Sequence, residues 1–235
     1  MAVHTKLLKK DISDILGNYK IGNLLNFSGI KDGIENTNYK VKTTKNYYIL
    51  TIFEERVNKK NLPFFLSLML SCNKKKICCP KPIFDMKGKL TNNFNQKKIA
   101  IFSFLNGKSK KNWTEFNCFE LGKTLGQFHS INRSFKEKIS NEFSLVFWKE
   151  IFKKMDRSKL DSVIPGIHKL LKEELSIINL NWPKDLPKGI IHADLFPDNI
   201  FFKGKKISGI LDFYFSCHDF FIYDLAITIN AWCFK

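Results

Sequence analysis

The sequence predicts an α+β fold of two lobes, a small strand-rich lobe at residues 1–105 and a mainly helical lobe at residues 106–235. Short apolar segments of strand length, separated by Gly- and Asn-rich turns, occupy most of the first lobe. From Asn112 onward the apolar residues recur at helical spacing instead. With 44% hydrophobic residues in 235, the chain can bury a sizeable core as one large or two small domains.

The first lobe is predicted to be a small sheet that carries helices. Residues 5–18 have the apolar spacing of a short amphipathic helix. Pro63 stands in the first turn of a second, more apolar helix at 61–71, and Pro80 and Pro82 break the chain after it. The predicted strands lie around 24–29, 38–43, 47–53, 83–85 and 98–104.

The second lobe is predicted to be helical as far as the Trp182-Pro183 break. Leu121, Leu125 and Phe128 lie on one face of its first helix. The predicted helices lie at 113–129, 145–155, 164–179 and 223–232. Short buried strands at 189–191, 200–202 and 207–211 are predicted to hold a polar loop at a sheet end.

That polar loop is the most specific signal in the chain. It reads His192-Ala-Asp194-Leu-Phe-Pro-Asp198-Asn199, and Asp212 follows thirteen residues later. In phosphoryl transfer from Mg-ATP, a loop Asp accepts the proton of the attacking hydroxyl, and an Asn and a second Asp hold the metal ions. Asp194, Asn199 and Asp212 have this spacing. The alternative is a surface loop with chance Asp and Asn residues, but residue types, spacing and strand context together favour the phosphoryl-transfer site.

Further residues are predicted to support this loop. His192 is better suited to fixing the loop by a backbone hydrogen bond than to acting as a general base. Asp224, at the start of the final helix, is a candidate anchor for the loop, with plain helix capping as the alternative. His129, at the end of its helix, is interpreted as stabilising the helix dipole.

A Gly- and Asn-rich segment at 29–39 lies between the first two predicted strands, where a kinase covers the nucleotide phosphates. Gly residues allow close backbone approach, and turn amides can cradle anionic oxygens. The candidate nucleotide-binding residues are Gly33, Asn36, Thr37 and Asn38. The segment has no Walker A or Gly-x-Gly-x-x-Gly motif, so alone it could equally be an ordinary hairpin loop. The downstream motif favours phosphate contact.

The third predicted strand lacks a residue that kinases use. Kinases place a Lys there that pairs with the α- and β-phosphates and with a helix Glu. This chain has Thr51 at that place, and the helix at 61–71 contains no Glu. Arg56 or a nearby Lys is a candidate replacement. The alternative is that Glu54, Glu55 and Arg56 are solvated charges at the strand end.

Composition favours a soluble, cytoplasmic protein with reduced thiols. The net charge is +17, but the Lys residues are scattered and only three Arg residues are present, which argues against dedicated nucleic-acid recognition. No two of the six Cys residues have Cys-x-x-Cys spacing, so we expect reduced thiols. The N-terminus has no apolar signal-peptide region, and no run of about 18 apolar residues occurs. We expect neither a nucleic-acid nor a membrane partner.

These motifs together resemble the aminoglycoside/choline kinase-like phosphotransferases, whose loop reads His-Gly-Asp-x-x-x-x-Asn. Within that superfamily the chain is most similar to the bacterial homoserine kinases of this protein-kinase-like fold, in which Thr also stands at the position of Thr51. The resemblance extends over nearly the whole chain. It is carried by the segments 33–39, 48–57, 61–66, 79–82, 189–202, 209–219 and 223–234.

The resemblance implies ATP-dependent phosphorylation of the L-homoserine side-chain hydroxyl to O-phospho-L-homoserine, a step of threonine biosynthesis. By motif match, Asp194 orients or deprotonates that hydroxyl, Asn199 and Asp212 bind Mg²⁺, and the backbone around residues 33–38 covers the phosphates of ATP. The expected wall residues of the acceptor site are Tyr214, Asp219, Asn230 and Trp232.

The resemblance leaves other functions open. Homoserine kinases usually continue through further helices, and this chain is short at its C-terminus by comparison. The same fold could serve another hydroxyl acceptor, such as choline, an aminoglycoside or a sugar. An inactive ATP-binding pseudokinase and a basic nucleic-acid-binding protein are the remaining alternatives.

Overall fold

The computed structural model describes residues 3–31, 35–55 and 57–234. Over these residues the chain forms nine strands and seven α-helices. A five-stranded antiparallel sheet comes first, and a helical part with two small two-stranded sheets follows. This arrangement confirms the predicted α+β fold with a strand-rich beginning and a mainly helical remainder.

The large sheet has the strand order β1-β2-β3-β5-β4, and every neighbouring pair is antiparallel. Four of its strands match predicted ones to within about a residue. The register places Thr51 of the central strand between Asn38 and Ala100. The strands are β1 (Leu24–Gly29), β2 (Thr37–Thr43), β3 (Tyr47–Phe53), β4 (Asn92–Phe94) and β5 (Lys97–Ser103).

Helices cover both faces of this sheet because β3 is apolar on both sides. Successive side chains of a strand point to opposite faces. Leu50 and Ile52 of β3 are fully buried in a cluster with α1 (Lys9–Leu16). Phe53, on the other face, is fully buried in a cluster with α2 (Leu62–Lys74). The two predicted helices of this lobe are thus confirmed as its two covering layers.

The prediction of a strand at 83–85 was wrong. Pro82, which lacks an N–H group, makes only an isolated bridge to Phe102. The chain then turns at Asp85, whose carboxylate accepts hydrogen bonds from the backbone N–H groups of Lys87 and Lys89 at 2.9 and 2.7 Å. The backbone N–H groups that are bonded in this turn are not available to pair with a neighbouring strand.

The edge strand is β4 instead, which the sequence interpretation missed. Asn95 and Gln96 connect β4 to β5, and both have positive φ, 44° and 64°. A two-residue connection with positive φ at both positions matches the twist of a β-hairpin. The Asn residue of this pair was the local signal for the turn.

The helical part begins with one long helix and ends with an apolar one. The first helix is longer than predicted, and a separate short helix, capped by Asp156, precedes the predicted helix at 164–179. The side chain of Asp156 accepts hydrogen bonds from the backbone N–H groups of Ser158 and Lys159. The helices are α3 (Glu115–Asn132), α4 (Leu145–Lys154), α5 (Arg157–Val163), α6 (Ile167–Asn181) and α7 (Phe221–Cys233).

Two small two-stranded antiparallel sheets hold the polar loop. One pairs β6 (Lys188–Ile191) with β9 (Cys217–Phe220), and β9 was not predicted. The other pairs β7 (Ile200–Lys203) with β8 (Lys206–Ile210). The strand predictions at 189–191, 200–202 and 207–211 are therefore confirmed as the frame of the loop.

One hydrophobic cluster joins the sheet to the helical part. It includes Phe53 and Phe65 from the first lobe together with Phe128 and Phe213 from the second. The polar loop borders this shared interior, so both lobes contribute to its surroundings. None of the helices in the described part of the chain has the length and apolar character needed to span a membrane.

Candidate active site

Asp194 and Asn199 lie on the loop between β6 and β7. A 3₁₀ turn at Pro197–Asn199 brings Asn199 back towards Asp194. The side-chain amide nitrogen of Asn199 donates hydrogen bonds to the backbone oxygen of Asp194 at 2.8 Å and to its carboxylate Oδ2 at 2.7 Å. Both amide hydrogens are therefore used inside the loop, and the amide oxygen is the atom of Asn199 that can bind a cation.

Asp224 fixes the backbone of this loop from α7. Its carboxylate is fully buried and accepts hydrogen bonds from the backbone N–H groups of His192 and Ala193, both at 2.9 Å. Helix α7 begins at Phe221, and its N-cap residue is Phe220, so plain capping by Asp224 is excluded. The geometry is that of the predicted loop anchor.

His129 belongs to the same network, and the sequence interpretation missed it. Its Nε2 atom lies 2.8 Å from Oδ2 of Asp224, and its ring stacks on Phe221 with 4.5 Å between ring centroids. His129 was assigned to the dipole of its own helix because the two partners are 95 residues apart in sequence. Only the tertiary packing of α3 against α7 brings them together.

His192 holds the loop from the other side. Its Nε2 atom lies 2.9 Å from the backbone oxygen of Leu211, a distance at which Nε2–H donates to that oxygen. The ring is fully buried, and this desolvation lowers the pKa of His192 to about 4, against the smaller raising effects of Asp224 and of the hydrogen bond to Leu211. A neutral imidazole bonded to backbone fits the predicted role of structural support better than that of a general base.

Asp212 reaches the loop from the end of β8. The backbone N–H of Leu211 donates to the backbone oxygen of Asn199 at 2.8 Å, which ties the two segments together. Asp212 itself has a φ of 56°, a left-handed conformation that is uncommon for non-Gly residues and concentrates at functional sites. This tie places the second predicted carboxylate beside Asp194.

The electrostatics of Asp194 reflect that proximity. The pKa of Asp194 is raised to about 7, first by burial and then by the negative charges of Asp212, Asp198 and Glu35, which together outweigh the lowering effect of the hydrogen bond from Asn199. A carboxyl group with a pKa near neutral can take up a proton from a substrate hydroxyl and release it again. The structure thus brings Asp194, Asn199 and Asp212 into one cluster.

The residues present fit a magnesium ion. Two carboxylates that repel each other in a partly desolvated site are stabilised by a divalent cation, and Mg²⁺ binds through oxygen ligands, often one or two protein groups plus substrate phosphates. Asp212 and the amide oxygen of Asn199 supply such oxygens. Within residues 3–31, 35–55 and 57–234, no group of three or more His, Cys, Asp or Glu side chains is arranged to hold a metal ion, so phosphate oxygens would complete the ligand set.

The candidate nucleotide-binding side chains are engaged within the protein. Thr37 is fully buried, and its hydroxyl donates to Oε1 of Glu54 at 2.7 Å. The Asn36 side-chain oxygen accepts a hydrogen bond from the backbone N–H of Glu54 at 3.3 Å, and the Asn38 side-chain oxygen accepts from the Thr51 hydroxyl at 2.7 Å. Asn36, Thr37 and Asn38 therefore shape the hairpin through these contacts. Gly33 lies outside the described residues.

The N-terminal segment is bound to this hairpin. The backbone N–H groups of His4 and Thr5 donate to the Thr37 hydroxyl at 2.9 and 3.1 Å. The Thr5 hydroxyl donates to Glu54 at 2.7 Å, and Lys97 forms an ion pair with the same carboxylate. Burial alone would raise the pKa of Glu54, but the hydrogen bonds from Lys97, Thr37 and Thr5 outweigh it and lower that pKa.

Glu54 is therefore not a solvated charge at a strand end, which corrects one of the two readings of this segment. Glu55 is exposed, in agreement with that reading, and Arg56 lies outside the described residues. Thr51, at the place of the usual kinase Lys, is buried and bonded to Asn38. The usual ion pair between a Lys of β3 and a Glu of α2 cannot form here, because β3 contains no Lys and α2 contains no Glu.

The predicted acceptor-wall residues have different surroundings. Tyr214 packs edge-on against Phe53 and Phe65, with ring centroids 5.4 and 5.7 Å away, and lines a pocket between the lobes. Burial raises the pKa of its hydroxyl. The carboxylate of Asp219 accepts a hydrogen bond from the Asn141 side chain at 2.8 Å.

Trp232 was assigned to the acceptor wall, and the structure corrects this. Its ring is buried and packs against Trp113, and its Nε1–H donates to the backbone oxygen of Leu195 at 2.7 Å. Trp232 is thus a core residue that supports the catalytic loop from behind. Asn230, on the same helix, is exposed.

A family model described as the phosphotransferase enzyme family matches residues 26–235. The homoserine kinase of Xanthobacter autotrophicus is 42% identical over 235 residues, a match that covers 100% of this chain and 73% of that protein. The homoserine kinase of Rhizobium meliloti is 40% identical over 235 residues and is covered to 72% of its length, again with 100% of this chain.

Solved structures with the same fold include antibiotic kinases. The amicoumacin kinase hAmiN, in complex with AMP-PNP, Ca²⁺ and Ami, has a TM-score of 0.74 at 15% identity and covers 94% of this chain and 68% of that one. The spectinomycin phosphotransferase APH(9)-Ia, in complex with ADP and spectinomycin, has a TM-score of 0.70 at 18% identity, covering 95% and 74%. At these identities the likeness concerns the fold.

Proposed function

Because the chain belongs to the homoserine kinases of the phosphotransferase enzyme family, we propose that it transfers the γ-phosphoryl group of ATP to the side-chain hydroxyl of L-homoserine. The products are O-phospho-L-homoserine and ADP. The observation that carries this proposal is the cluster of Asp194, Asn199 and Asp212, in which desolvation and neighbouring negative charge raise the pKa of Asp194 to about 7.

In the proposed reaction, Asp194 positions the hydroxyl of homoserine and accepts its proton. The hydroxyl oxygen forms a bond to the γ-phosphorus, and the bond from that phosphorus to the β–γ bridging oxygen breaks, so that ADP leaves with the electron pair. A magnesium ion held by Asn199 and Asp212 would neutralise charge on the phosphate oxygens. The hydrogen bonds from Asn199 keep the carboxylate of Asp194 in a single orientation.

The β1–β2 hairpin is proposed to cover the phosphates through its backbone. Thr37, Asn36 and Asn38 hold the second strand of that hairpin to β3 and to the N-terminal segment. We propose a cytoplasmic location because ATP, the phosphoryl donor of this reaction, is available there.

The test is ADP release by the purified protein with Mg-ATP and one acceptor at a time: L-homoserine, L-serine, choline or kanamycin. We expect turnover that depends on L-homoserine and is lost in Asp212→Ala, with far lower rates for the other three. Turnover with choline or kanamycin in preference to homoserine would move the protein to another acceptor class. ATP binding without turnover on any acceptor would identify an inactive nucleotide-binding protein.

A further inference from the structure

A pocket lies between the two lobes, beside Glu35 and the start of α2. Asn58 and Asn61 line it from the first lobe, and Ser140, Glu142, Tyr214 and Ser216 line it from the second. We call these six residues the interlobe pocket. None of them has a role in the phosphoryl-transfer cluster described above.

The pocket adjoins the segment that carries Asp212. Tyr214 lines the pocket and lies in the 3₁₀ turn Phe213–Phe215, whose N-cap residue is Asp212. Glu35 lines the pocket from the first lobe. A small molecule in the pocket would therefore lie close to the chain segment of Asp212.

The charge of the pocket selects the chemistry of its ligand. Its described lining contains the carboxylates of Glu35 and Glu142 and no Lys, Arg or His side chain. Such a wall attracts an ammonium group and repels a phosphate. The nucleotide is therefore a poor candidate for this pocket, and an amine-bearing acceptor is a good one.

Glu142 has polar neighbours that fit an amino acid. Its Oε1 atom accepts hydrogen bonds from the side-chain amides of Asn58 and Asn61 at 3.4 and 3.2 Å. Each amide nitrogen carries a second hydrogen, which can be donated to a ligand carboxylate. A carboxylate that can accept from an ammonium group and two amides that can donate to a carboxylate group thus lie side by side.

Ser216 gives an independent sign of a ligand. The residue is 1% exposed, and its hydroxyl is buried without a hydrogen-bond partner in the described part of the protein. Buried hydroxyl groups are nearly always paired, because an unpaired one has lost its hydrogen bonds to water without a replacement. A polar ligand in the pocket would supply the missing partner.

We propose that the interlobe pocket binds the α-amino-acid end of the acceptor, with Glu142 holding the ammonium group and the Ser216 hydroxyl completing the contact. The side-chain amides of Asn58 and Asn61 donate to the acceptor carboxylate. This assignment rests on the proposed function and adds the place and the groups by which the acceptor is selected.

The experiment compares Glu142→Gln and Ser216→Ala with two matched controls. Glu137→Gln removes the charge of another exposed glutamate that links α2 to the same segment, through Ser67, but does not line the pocket. Ser208→Ala removes another buried, unpaired hydroxyl outside the pocket. The KM values for L-homoserine and for ATP are measured with each purified protein, together with its melting temperature.

We expect Glu142→Gln to raise the KM for homoserine roughly tenfold to hundredfold, the factor of one lost charge-assisted hydrogen bond. Ser216→Ala should raise it by a smaller factor, roughly two- to tenfold for a neutral hydrogen bond. The KM for ATP of both pocket variants should stay within about twofold of the wild-type value. Both KM values of the two control proteins should stay within the same range.

Three results would overturn the assignment. An unchanged homoserine KM in both pocket variants excludes the contact. Equal increases in the KM values for homoserine and ATP, matched by Glu137→Gln, mean that Glu142 only links the lobes. A wild-type protein that phosphorylates no homoserine overturns the proposed function itself, and the assignment with it. If Glu142→Gln does not fold, Ser216→Ala decides alone.

Discussion

The loop of Asp194 and the β1–β2 hairpin are each held by one buried carboxylate, but in different ways. Asp224 is fully buried and accepts hydrogen bonds from the backbone N–H groups of His192 and Ala193. Glu54, 8% exposed, instead binds side-chain donors from three separate segments. The loop of Asp194 is thus fixed through its own backbone. The hairpin, which we propose covers the phosphates, is attached through side chains at the edge of the first lobe.

The strongest test of this comparison removes the carboxylate of Asp224, which binds the backbone of the catalytic loop. Asp224→Ala should lower the free energy of unfolding by about 2–6 kcal/mol, because two buried N–H groups lose their acceptor at about 1–3 kcal/mol each. It should also reduce turnover by more than about 10²-fold, since Asp194 loses its position. Denaturant unfolding and kcat measure the two effects. An Asp224→Ala protein with wild-type turnover would show that the loop does not need this anchor.

The ionised carboxylate of Asp194 should support turnover but lower the stability of the folded protein. Asp194→Asn removes the proposed base and should reduce kcat by about 10²- to 10⁴-fold. The pKa of Asp194 is about 7 in the folded protein against an ordinary value of 3.8. Between these values the folded state holds a proton that the unfolded state does not, so the ionised group lowers stability as pH rises.

Asp194→Asn should therefore be more stable than wild type above pH 7, and this gain should disappear as pH falls towards the ordinary pKa of 3.8. Thermal unfolding at pH 8 and at pH 5, without nucleotide or Mg²⁺, measures the difference. A variant less stable than wild type at pH 8 would contradict the raised pKa of Asp194.

The hairpin anchor should affect nucleotide binding more than chemistry. Thr5→Val keeps the shape of the side chain but removes its hydrogen bond to Glu54. We expect the KM for ATP to rise roughly two- to tenfold, the factor of a hydrogen bond of about 0.5–1.5 kcal/mol, with kcat nearly unchanged. Thr124→Val, which removes a hydroxyl bonded within α3, is the matched control. A fall in kcat with no change in the KM for ATP would put the segment in the chemical step.

The smallest expected effect concerns backbone strain in the catalytic loop. Ala193 has a φ of 62°, a left-handed conformation that costs a non-Gly residue about 1–2 kcal/mol. Ala193→Gly relieves that cost and loses about 0.4–1 kcal/mol of unfolded-state entropy, so a net gain of roughly 0.5–1 kcal/mol is expected. Gly204→Ala is the reverse control, because Gly204 has a φ of 64° and its Cβ would meet no atom within 4 Å. Urea unfolding of both proteins measures the pair, and a destabilised Ala193→Gly would refute the strain.

The same contrast separates what the sequence could predict from what it could not. Asp194 and Asn199 lie five residues apart on one loop, so their spacing and their flanking apolar strands were sufficient to predict that they lie together. The contact of Asp224 with His129, and that of Glu54 with Lys97, join residues far apart in sequence. No local periodicity encodes such contacts, since they follow from packing between layers.

Two errors have local physical causes. The strand at 83–85 was predicted from the apolar residues next to Pro82. In the structure the carboxylate of Asp85 forms a turn there by accepting hydrogen bonds from backbone N–H groups. Trp232 was expected at the acceptor wall from the resemblance to the homoserine kinases. The apolar periodicity of α7, with Thr228 and Trp232 both buried, indicates a core position instead.

The central claim is that Asp194 directs phosphoryl transfer to the hydroxyl of homoserine, and ³¹P NMR of the reaction mixture tests it most directly. Purified protein with Mg-ATP and L-homoserine should give a phosphate monoester that co-resonates with O-phospho-L-homoserine, formed at least about 10²-fold more slowly by Asp194→Asn. Absence of that ester from the wild-type reaction, or equal rates of its formation by both proteins, would contradict the account.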